Sequence, residues 1–175
     1  MTLAGADLDK AIKLDPCNPW VYYDRAICLC NTQHWADALT DFRKGLARMP
    51  FDPWPFWMGI WLARTRLGEP DPAKEELASF ANDLSNANPE KLTSKIVRVT
   101  LGQLGVGAFL DELARVPRRR EETARGYFYA AEKTLAGGDT AAARDLLRKC
   151  IKVKAVTTAE DSTAASELRL ISERN

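Results

Sequence analysis

The sequence carries almost no net charge, which removes the simplest electrostatic indication of a nucleic-acid or membrane-surface partner. Its 25 Lys and Arg residues are balanced by 24 Asp and Glu residues. A protein that binds polyanions usually has a clear basic excess or a basic patch. The densest basic run, Arg118–Arg120, is followed at once by Glu121 and Glu122, and this pattern is typical of a solvated helix end. We therefore expect no nucleic-acid partner.

Long apolar runs are also missing. A membrane-spanning helix needs about 20 consecutive, mostly apolar residues, and the sequence has no such run. The first residues lack the basic and apolar regions of a signal peptide. The sequence as written predicts a cytoplasmic protein without a membrane partner. A cell-envelope location is the alternative if an upstream signal is missing.

Metal ligands are scarce. The sequence has one histidine, His34, and four cysteines, Cys17, Cys28, Cys30 and Cys150. Cys30 and His34 are four residues apart and would share one face of a helix, but two ligands fall short of the four that a structural zinc site usually has. We expect neither a metal nor another cofactor, and we expect the cysteines to act as small buried apolar side chains.

A catalytic arrangement is not evident either. No Ser or Cys nucleophile stands in a recognisable relation to His34. The glycines at 102, 105 and 107 do not follow a predicted strand, as a dinucleotide-binding loop would require. The sequence therefore predicts a protein that is not an enzyme.

An internal repeat is the strongest positive signal. Pro16 and Pro50 are 34 residues apart, and each closes a similar stretch. Between them lie Tyr22-x2-Arg25-Ala26-x2-Leu29 and then Ala38-x3-Phe42. Small residues at such positions let two helices approach closely, while the large ones fill the space between them. This spacing resembles the tetratricopeptide repeat (TPR) family. The resemblance implies an all-α fold, a right-handed α-solenoid of TPR-like helix pairs, and a role in binding other proteins.

Two further copies follow this frame. Tyr127 and Ala143 repeat the 16-residue separation of Tyr22 and Ala38, with Gly137-Gly138-Asp139 at the expected turn. A looser copy begins at Phe56 and has one extra residue before its second helix. We predict a single TPR-like helical domain over residues 1–175. Its segments are 1–16 (half-repeat), 17–50 (repeat), 51–85 (looser repeat), 86–117 (irregular helical interruption), 118–155 (repeat) and 156–175 (C-terminal helix).

Helix boundaries follow from the repeat frame together with capping residues. Asn88-Pro89 is interpreted as a helix start, and Thr158-x-x-Asp161 as a cap. The predicted helices span residues 3–14, 19–31, 35–48, 54–67, 72–85, 88–100, 106–115, 119–136, 140–153 and about 158–173.

Residues 1–16 form a half-repeat that lacks the helix which would normally cover it. Its apolar side chains, Leu3, Leu8 and Ile12, are expected to be exposed, and solenoids usually avoid this by capping. Three interpretations remain open: a fragment of a longer protein, a misplaced start, or a homodimer through residues 1–16.

The layout of residues 50–173 resembles a subgroup of bacterial TPR proteins. That subgroup includes outer-membrane lipoproteins that act as adaptors between a protease and cell-wall hydrolases. The likeness rests on the interruption with its Leu-Gly-x-Leu turn, the Arg-rich entry and a repeat containing Tyr-Phe-Tyr. The lipid-attachment cysteine of those lipoproteins is not found in the sequence as written, so the envelope role is not carried over.

The candidate partner-binding surface follows from the helices that a TPR array presents on its concave face. Trp and Tyr dominate binding hot spots because they offer large contact areas with few rotatable bonds. A wall of this kind predicts a partner peptide or helix, and hence an adaptor or scaffold. The predicted residues are Trp20, Tyr23, Ile27, Asn31, Trp54, Trp57, Trp61 and Arg64, with Cys30 beside them.

Two alternatives stay open for this wall. The C-terminal helices could instead fill the groove, in which case the tryptophans would be core residues. The array could also be the recruiting part of a larger enzyme or regulator, or a self-associating solenoid. The carboxylate clamp of chaperone-binding TPR domains is not expected, because Tyr23, Ile27 and Trp54 stand where its Lys, Asn and Arg side chains would be.

Overall fold

The computed structural model describes residues 3–116, 118–155 and 159–173, and this part of the chain contains ten α-helices and no strand. The predicted all-α class is confirmed. The helices are α1 (Leu3–Leu14), α2 (Pro19–Asn31), α3 (Trp35–Leu46), α4 (Trp54–Arg66), α5 (Pro70–Ala87), α6 (Leu92–Thr100), α7 (Val106–Arg115), α8 (Arg120–Ala136), α9 (Thr140–Lys152) and α10 (Ala159–Glu173).

The predicted helix boundaries agree with the structure to within two residues, except at the start of α6. That helix begins at Leu92 rather than at residue 88. Asn88 is not its cap: its side-chain oxygen accepts a hydrogen bond from the N–H of Glu90 at 3.1 Å, which closes a turn before the helix. The predicted cap at Thr158 lies outside the described residues, as do Pro117 and the side chain of Leu3.

The chain divides into two compact units, residues 1–77 and 78–175. The predicted single domain over residues 1–175 stays a prediction. The two units are described separately below.

The first unit is a series of helices in which each packs on the next from α1 to α4. Its core contains the small and large residues that the repeat frame predicts at the helix contacts. Ala26 and Ala38 are fully buried, and between α3 and α4 the ring of Phe42 lies against Gly59. A Cβ atom at Gly59 would be 2.5 Å from that ring, so only glycine permits this approach. The buried cluster comprises Ala26, Cys30, Ala38, Phe42, Phe56 and Ile60.

Pro16, one of the two prolines that define the repeat period, lies where three parts of the first unit meet. Its carbonyl oxygen accepts hydrogen bonds from Tyr22 Oη at 3.2 Å and from Arg48 Nε at 2.8 Å. The Arg48 guanidinium also lies over the Tyr22 ring, 4.8 Å from its centroid. The next helix, α2, starts with Pro19 in its first turn and with Asn18 as its cap. These contacts fix the entry of α2 relative to the end of α3.

The second unit is built around the hairpin of α8 and α9, which is the predicted C-terminal repeat. Gly138 has a φ of +90°, so the turn between the helices uses the left-handed backbone that favours glycine. Asp139 then caps α9 by accepting a hydrogen bond from the N–H of Ala142 at 2.9 Å. Helices α6, α7 and α10 pack against α8, and α10 also packs against α9.

The predicted interruption at 86–117 contributes α6 and α7, which are joined by an ion-pair network. Lys95 Nζ lies 2.6 Å from a carboxylate oxygen of Glu90 and also donates to Glu112 of α7. The hydrogen bonds that Lys95 donates to Glu112 and Glu90 raise its pKa. Lys133 of α8 donates to the backbone oxygen of Thr100 at 2.9 Å, which ties the end of α6 to the hairpin.

Candidate functional site

The eight predicted site residues all lie in the first unit, on two helices. Helix α2 carries Trp20, Tyr23, Ile27 and Asn31, and helix α4 carries Trp54, Trp57, Trp61 and Arg64. The two groups differ sharply in exposure, so each is described separately.

The outward face of α2 is the accessible part of the predicted surface. Trp20 and Ile27 are seven residues apart and therefore share one side of the helix. Trp20 keeps 45% of its surface exposed. Few other large apolar side chains in the described residues are as exposed. Tyr23, Ile27 and Asn31 are partly buried. We define the outward face of α2 as Trp20, Asp24, Ile27 and Asn31.

The ring of Trp20 does not extend freely into solvent, because it packs against other aromatic rings. Its ring centroid lies 5.8 Å from that of Tyr23 and 5.6 Å from that of Phe56. Tyr23 in turn contacts Phe56 at 5.4 Å and Phe42 at 5.7 Å, both edge to face. Such pairs stabilise each other by about 0.5–1.5 kcal/mol beyond their buried area. The exposed indole is therefore held on a rigid aromatic base.

The tryptophans of α4 have a different environment. Trp54 and Trp61 are buried, with 5% and 3% of their surfaces exposed. This corrects their predicted position on an open wall, because neither presents a surface to a partner. The physical reason is that α4 is apolar on every side, so that adjacent residues such as Ile60 and Trp61 are both buried. Trp57 is partly buried and packs against the cluster that contains Phe42 and Phe56.

Arg64, the charged member of the predicted site, is engaged by two carboxylates. It donates to Glu76 from Nε at 2.8 Å and from Nη2 at 3.0 Å, and it also pairs with Glu69. Arg43 reaches the same carboxylate of Glu76 at 2.6 Å. Burial alone would raise the pKa of Glu76, but the hydrogen bonds from Arg64 and Arg43 hold it below its ordinary value. Arg64 therefore joins α4 to α5.

Asp24 is a surface residue that was not predicted from the sequence. It stands on the outward face of α2, one turn after Trp20, and it is exposed. Within the described part of the chain it has no hydrogen bond or ion pair. Partial burial raises its pKa. The signal in the sequence was its position four residues after Trp20 and three before Ile27, which places the three side chains together.

A cleft of about 600 Å³ lies between α1, α2 and α3. Arg25 crosses it, donating to Asp9 at 2.7 Å and to both carboxylate oxygens of Asp41 at 2.6 and 2.7 Å. These hydrogen bonds raise the pKa of Arg25. In the sequence, Arg25 is recognisable only as part of the repeat frame, and nothing there indicates the cleft. One guanidinium faces two carboxylates across this cleft, and all three groups are already engaged with one another.

The cysteines and the histidine do not come together as a ligand set. All four cysteines are free, and the described residues contain no group of three or more His, Cys, Asp or Glu side chains arranged for a metal ion. His34 Nδ1 lies 2.9 Å from Thr32 Oγ1, in the turn before α3. Cys30, its predicted co-ligand, is buried in the core of the first unit.

Comparison with protein families supports the repeat frame directly. Residues 8–40 match the family model described as a tetratricopeptide repeat. This stretch of the chain is therefore a tetratricopeptide repeat. The matched stretch runs from α1 through α2 into α3, and it includes the exposed part of the predicted surface. Tetratricopeptide repeats generally mediate protein–protein interactions. The resemblance to the bacterial adaptor subgroup stays a prediction.

A comparison with curated proteins found no match. Among the described residues, every helix is too short or too polar to cross a membrane.

Proposed function

We propose that this protein acts as an adaptor that binds a partner peptide or helix through the outward face of α2, with Tyr23 and Trp57 beside it. The observation that carries the proposal is Trp20, whose ring is 45% exposed although Tyr23 and Phe56 hold it in place. A rigid exposed indole loses little conformational entropy on binding, which makes it an efficient anchor.

The energy available from this residue is substantial. A fully buried aromatic side chain removes about 150–250 Å² from water, so the exposed part of Trp20 corresponds to roughly 100 Å². At about 25 cal/mol per Å², covering it contributes about 2.5 kcal/mol to binding. That equals roughly a sixtyfold change in the dissociation constant. Ile27, seven residues along the same face, extends the apolar contact by two helical turns.

Trp54 and Trp61 are outside this proposal because they are buried. Arg64 borders the surface without anchoring it, because Glu69 and Glu76 already engage it. Asn31, at the end of the outward face of α2, is not an anchor either. The binding surface that we propose is thus smaller than the sequence predicts. It is centred on α2, with Trp57 of α4 at its margin.

Self-association through residues 1–16 is the second candidate, and one observation favours it. Leu14, the last residue of α1, keeps 86% of its surface exposed. If this candidate holds, the sedimentation coefficient of the chain rises with protein concentration and Leu14→Asp abolishes the rise. A mass that stays monomeric over the whole range disposes of it. Recruitment of substrate for a larger enzyme or regulator would use the same α2 surface, so it is a context for the proposal rather than a rival.

The test uses the full chain as bait for a displayed library of random peptides, followed by affinity measurements on the selected peptides. We expect Trp20→Ala to weaken their binding about tenfold or more at temperatures where the variant is still folded, although the lost ring contacts with Tyr23 and Phe56 lower its thermal stability. Phe51→Ala is the matched control: Phe51 is an aromatic residue with 79% exposure in the same unit, but it lies in the loop before α4. Binding that is insensitive to Trp20→Ala, or equally sensitive to Phe51→Ala, contradicts the proposal.

A further inference from the structure

The outward face of α2 combines an apolar surface with a single carboxylate. Trp20, Asp24 and Ile27 follow one another at intervals of four and three residues, so the carboxylate lies between the two apolar side chains. A segment that covers both Trp20 and Ile27 therefore passes next to Asp24. The chemistry of the partner is therefore constrained at that point.

Among the described residues, no cation forms an ion pair with Asp24. The neighbouring Arg25 points away into the cleft and donates to Asp9 and Asp41. Arg64, on α4, is engaged by Glu69 and Glu76. Asp24 acts on the thiol of Cys28, one turn further along α2, whose pKa is raised by burial and by the charge of Asp24.

A partner without a compensating charge would be disfavoured at this face. Removing an unpaired carboxylate from water is costly, and the cost is recovered only when an opposite charge or several hydrogen bonds replace the lost hydration. The raised pKa of Asp24 indicates that it is already partly desolvated in the free chain. A basic side chain placed opposite Asp24 removes this penalty and adds a charge-assisted hydrogen bond.

We propose that the partner of this face is a polypeptide segment that pairs a Lys or Arg side chain with Asp24, between apolar residues that cover Trp20 and Ile27. This inference rests on the proposed function and adds to it the chemical class of the partner. An arginine gains a further contact, since its planar guanidinium can stack on an aromatic ring such as Trp20 or Tyr23 while its nitrogens reach the carboxylate.

The geometry of α2 sets the expected spacing in the partner. Trp20 and Ile27 are seven residues apart, which corresponds to about 10 Å along a helix axis. A helical partner that runs alongside α2 would place two apolar residues about seven positions apart, with the basic residue three or four positions from either. An extended partner would span the same distance with about three residues.

The experiment repeats the peptide selection with the full wild-type chain and with the variants Asp24→Asn and Asp24→Lys. Peptides selected by the wild type are expected to be enriched in Lys or Arg close to apolar residues. The enrichment is lost with Asp24→Asn and replaced by Asp or Glu with Asp24→Lys. For a single selected peptide, we expect Asp24→Asn to weaken binding about tenfold at low salt. Asp24→Lys should restore binding when the basic residue of the peptide is changed to Glu.

Asp52→Asn is the matched control, since it neutralises an exposed carboxylate in the loop before α4 of the same unit. It should leave both the selected sequences and the affinities unchanged. Because Asp24 makes no hydrogen bond or ion pair with the described residues, its variants are expected to keep the thermal unfolding curve of the wild type.

The possible results separate this inference from the proposed function. Peptides that depend on Trp20 but show no basic preference, or whose affinity is unchanged by Asp24→Asn, overturn the inference and leave the α2 surface standing. If the wild type selects no peptide that it binds more tightly than Trp20→Ala does, both the inference and the proposed function are wrong.

Discussion

Arg25 holds the carboxylate of Asp41 in a two-point hydrogen bond, with Nε 2.6 Å from Oδ2 and Nη2 2.7 Å from Oδ1. Asp41 is buried, and the third nitrogen of the guanidinium reaches Asp9 of α1 at 2.7 Å. One side chain of α2 therefore joins α1 and α3 across the cleft. The pair stands sixteen residues apart, the same separation that places Tyr22 of α2 and Ala38 of α3 in the repeat frame.

Asp41→Ala should destabilise the first unit by about 2 kcal/mol, because it leaves the Arg25 charge partly buried without its main partner. The double variant Arg25→Met, Asp41→Leu should recover much of this loss, since the uncompensated charge is gone. Urea unfolding followed by tryptophan fluorescence measures both, as all five tryptophans lie between residues 20 and 61. Asp7→Ala is the control, because its pair with Lys10 in the same unit is exposed. An equal loss for Asp41→Ala and Asp7→Ala would contradict this account.

Gly59→Ala is expected to destabilise the contact of α3 with α4 by about 1–3 kcal/mol. The new Cβ would lie 2.5 Å from Cε1 of Phe42, which is fully buried and has no free space to move into. The smaller side chain of Phe42→Leu should make Gly59→Ala less damaging in the double variant than in the wild-type background. Calorimetric unfolding of the four proteins gives the coupling energy.

A matched control for Gly59 is Gly107→Ala in α7. A Cβ at Gly107 would meet nothing within 4 Å. The change should therefore stabilise the helix by up to about 1 kcal/mol, since alanine is the better helix former. If both glycine variants shift the unfolding temperature in the same direction, the close approach at Gly59 does not control the packing.

The helices could be predicted from the sequence because the signals for them are local. The 34-residue separation of Pro16 and Pro50 and the small residues at helix contacts fixed the frame, and α2 and α7 have the bounds that were predicted. The start of α6 was predicted incorrectly because Asn88 can form either a helix cap or a short turn. Ser94 decides between them, since its hydroxyl donates to the backbone oxygen of Asn88 at 2.6 Å and holds the turn. Sequence spacing alone gives no preference.

The candidate site could be predicted only where the exposure of a side chain depends on its position along a single helix. Trp20 and Ile27 share a face by helical spacing, and that part of the prediction needs no knowledge of neighbouring helices. Trp54 and Trp61 depend on what packs against α4, and an apolar helix carries no periodic signal that distinguishes an open side from a covered one. Asp24 was not predicted because its proposed role depends on having no ion-pair partner among the described residues, which only the positions of Arg25 and Arg64 reveal.

Glu76 should make the stability of the first unit depend on pH in the acid range. Its pKa is lowered in the folded state, so its contribution is present above the unfolded value of about 4.5 and is lost as the pH falls through the folded value. We expect Glu76→Gln to cost about 1 kcal/mol at pH 7, a value kept small by the partial exposure of the carboxylate. The difference from the wild type should shrink towards zero at pH 3.

Urea unfolding of Glu76→Gln and the wild type at pH 7 and pH 3, read by tryptophan fluorescence, tests this dependence. Glu75→Gln provides the control, because Glu75 is the exposed neighbour and makes no ion pair within the described residues. A cost for Glu76→Gln that is the same at both pH values would show that the side chain acts through packing rather than through its charge.

Cys150 should react very slowly with alkylating reagents in the folded protein, even though it is a free thiol. Burial, together with the nearby carboxylates of Asp161 and Glu160, raises its pKa to about 12, whereas Cys17 is exposed. Only the thiolate reacts with iodoacetamide, so at pH 8 we expect Cys17 to be alkylated at least about a hundredfold faster than Cys150. Peptide mass spectrometry of a time course measures both rates, and in denaturant they should converge. Equal rates under native conditions would mean that α8, α9 and α10 open readily around Cys150, because neither burial nor a raised pKa can protect a thiol in a unit that is not closed.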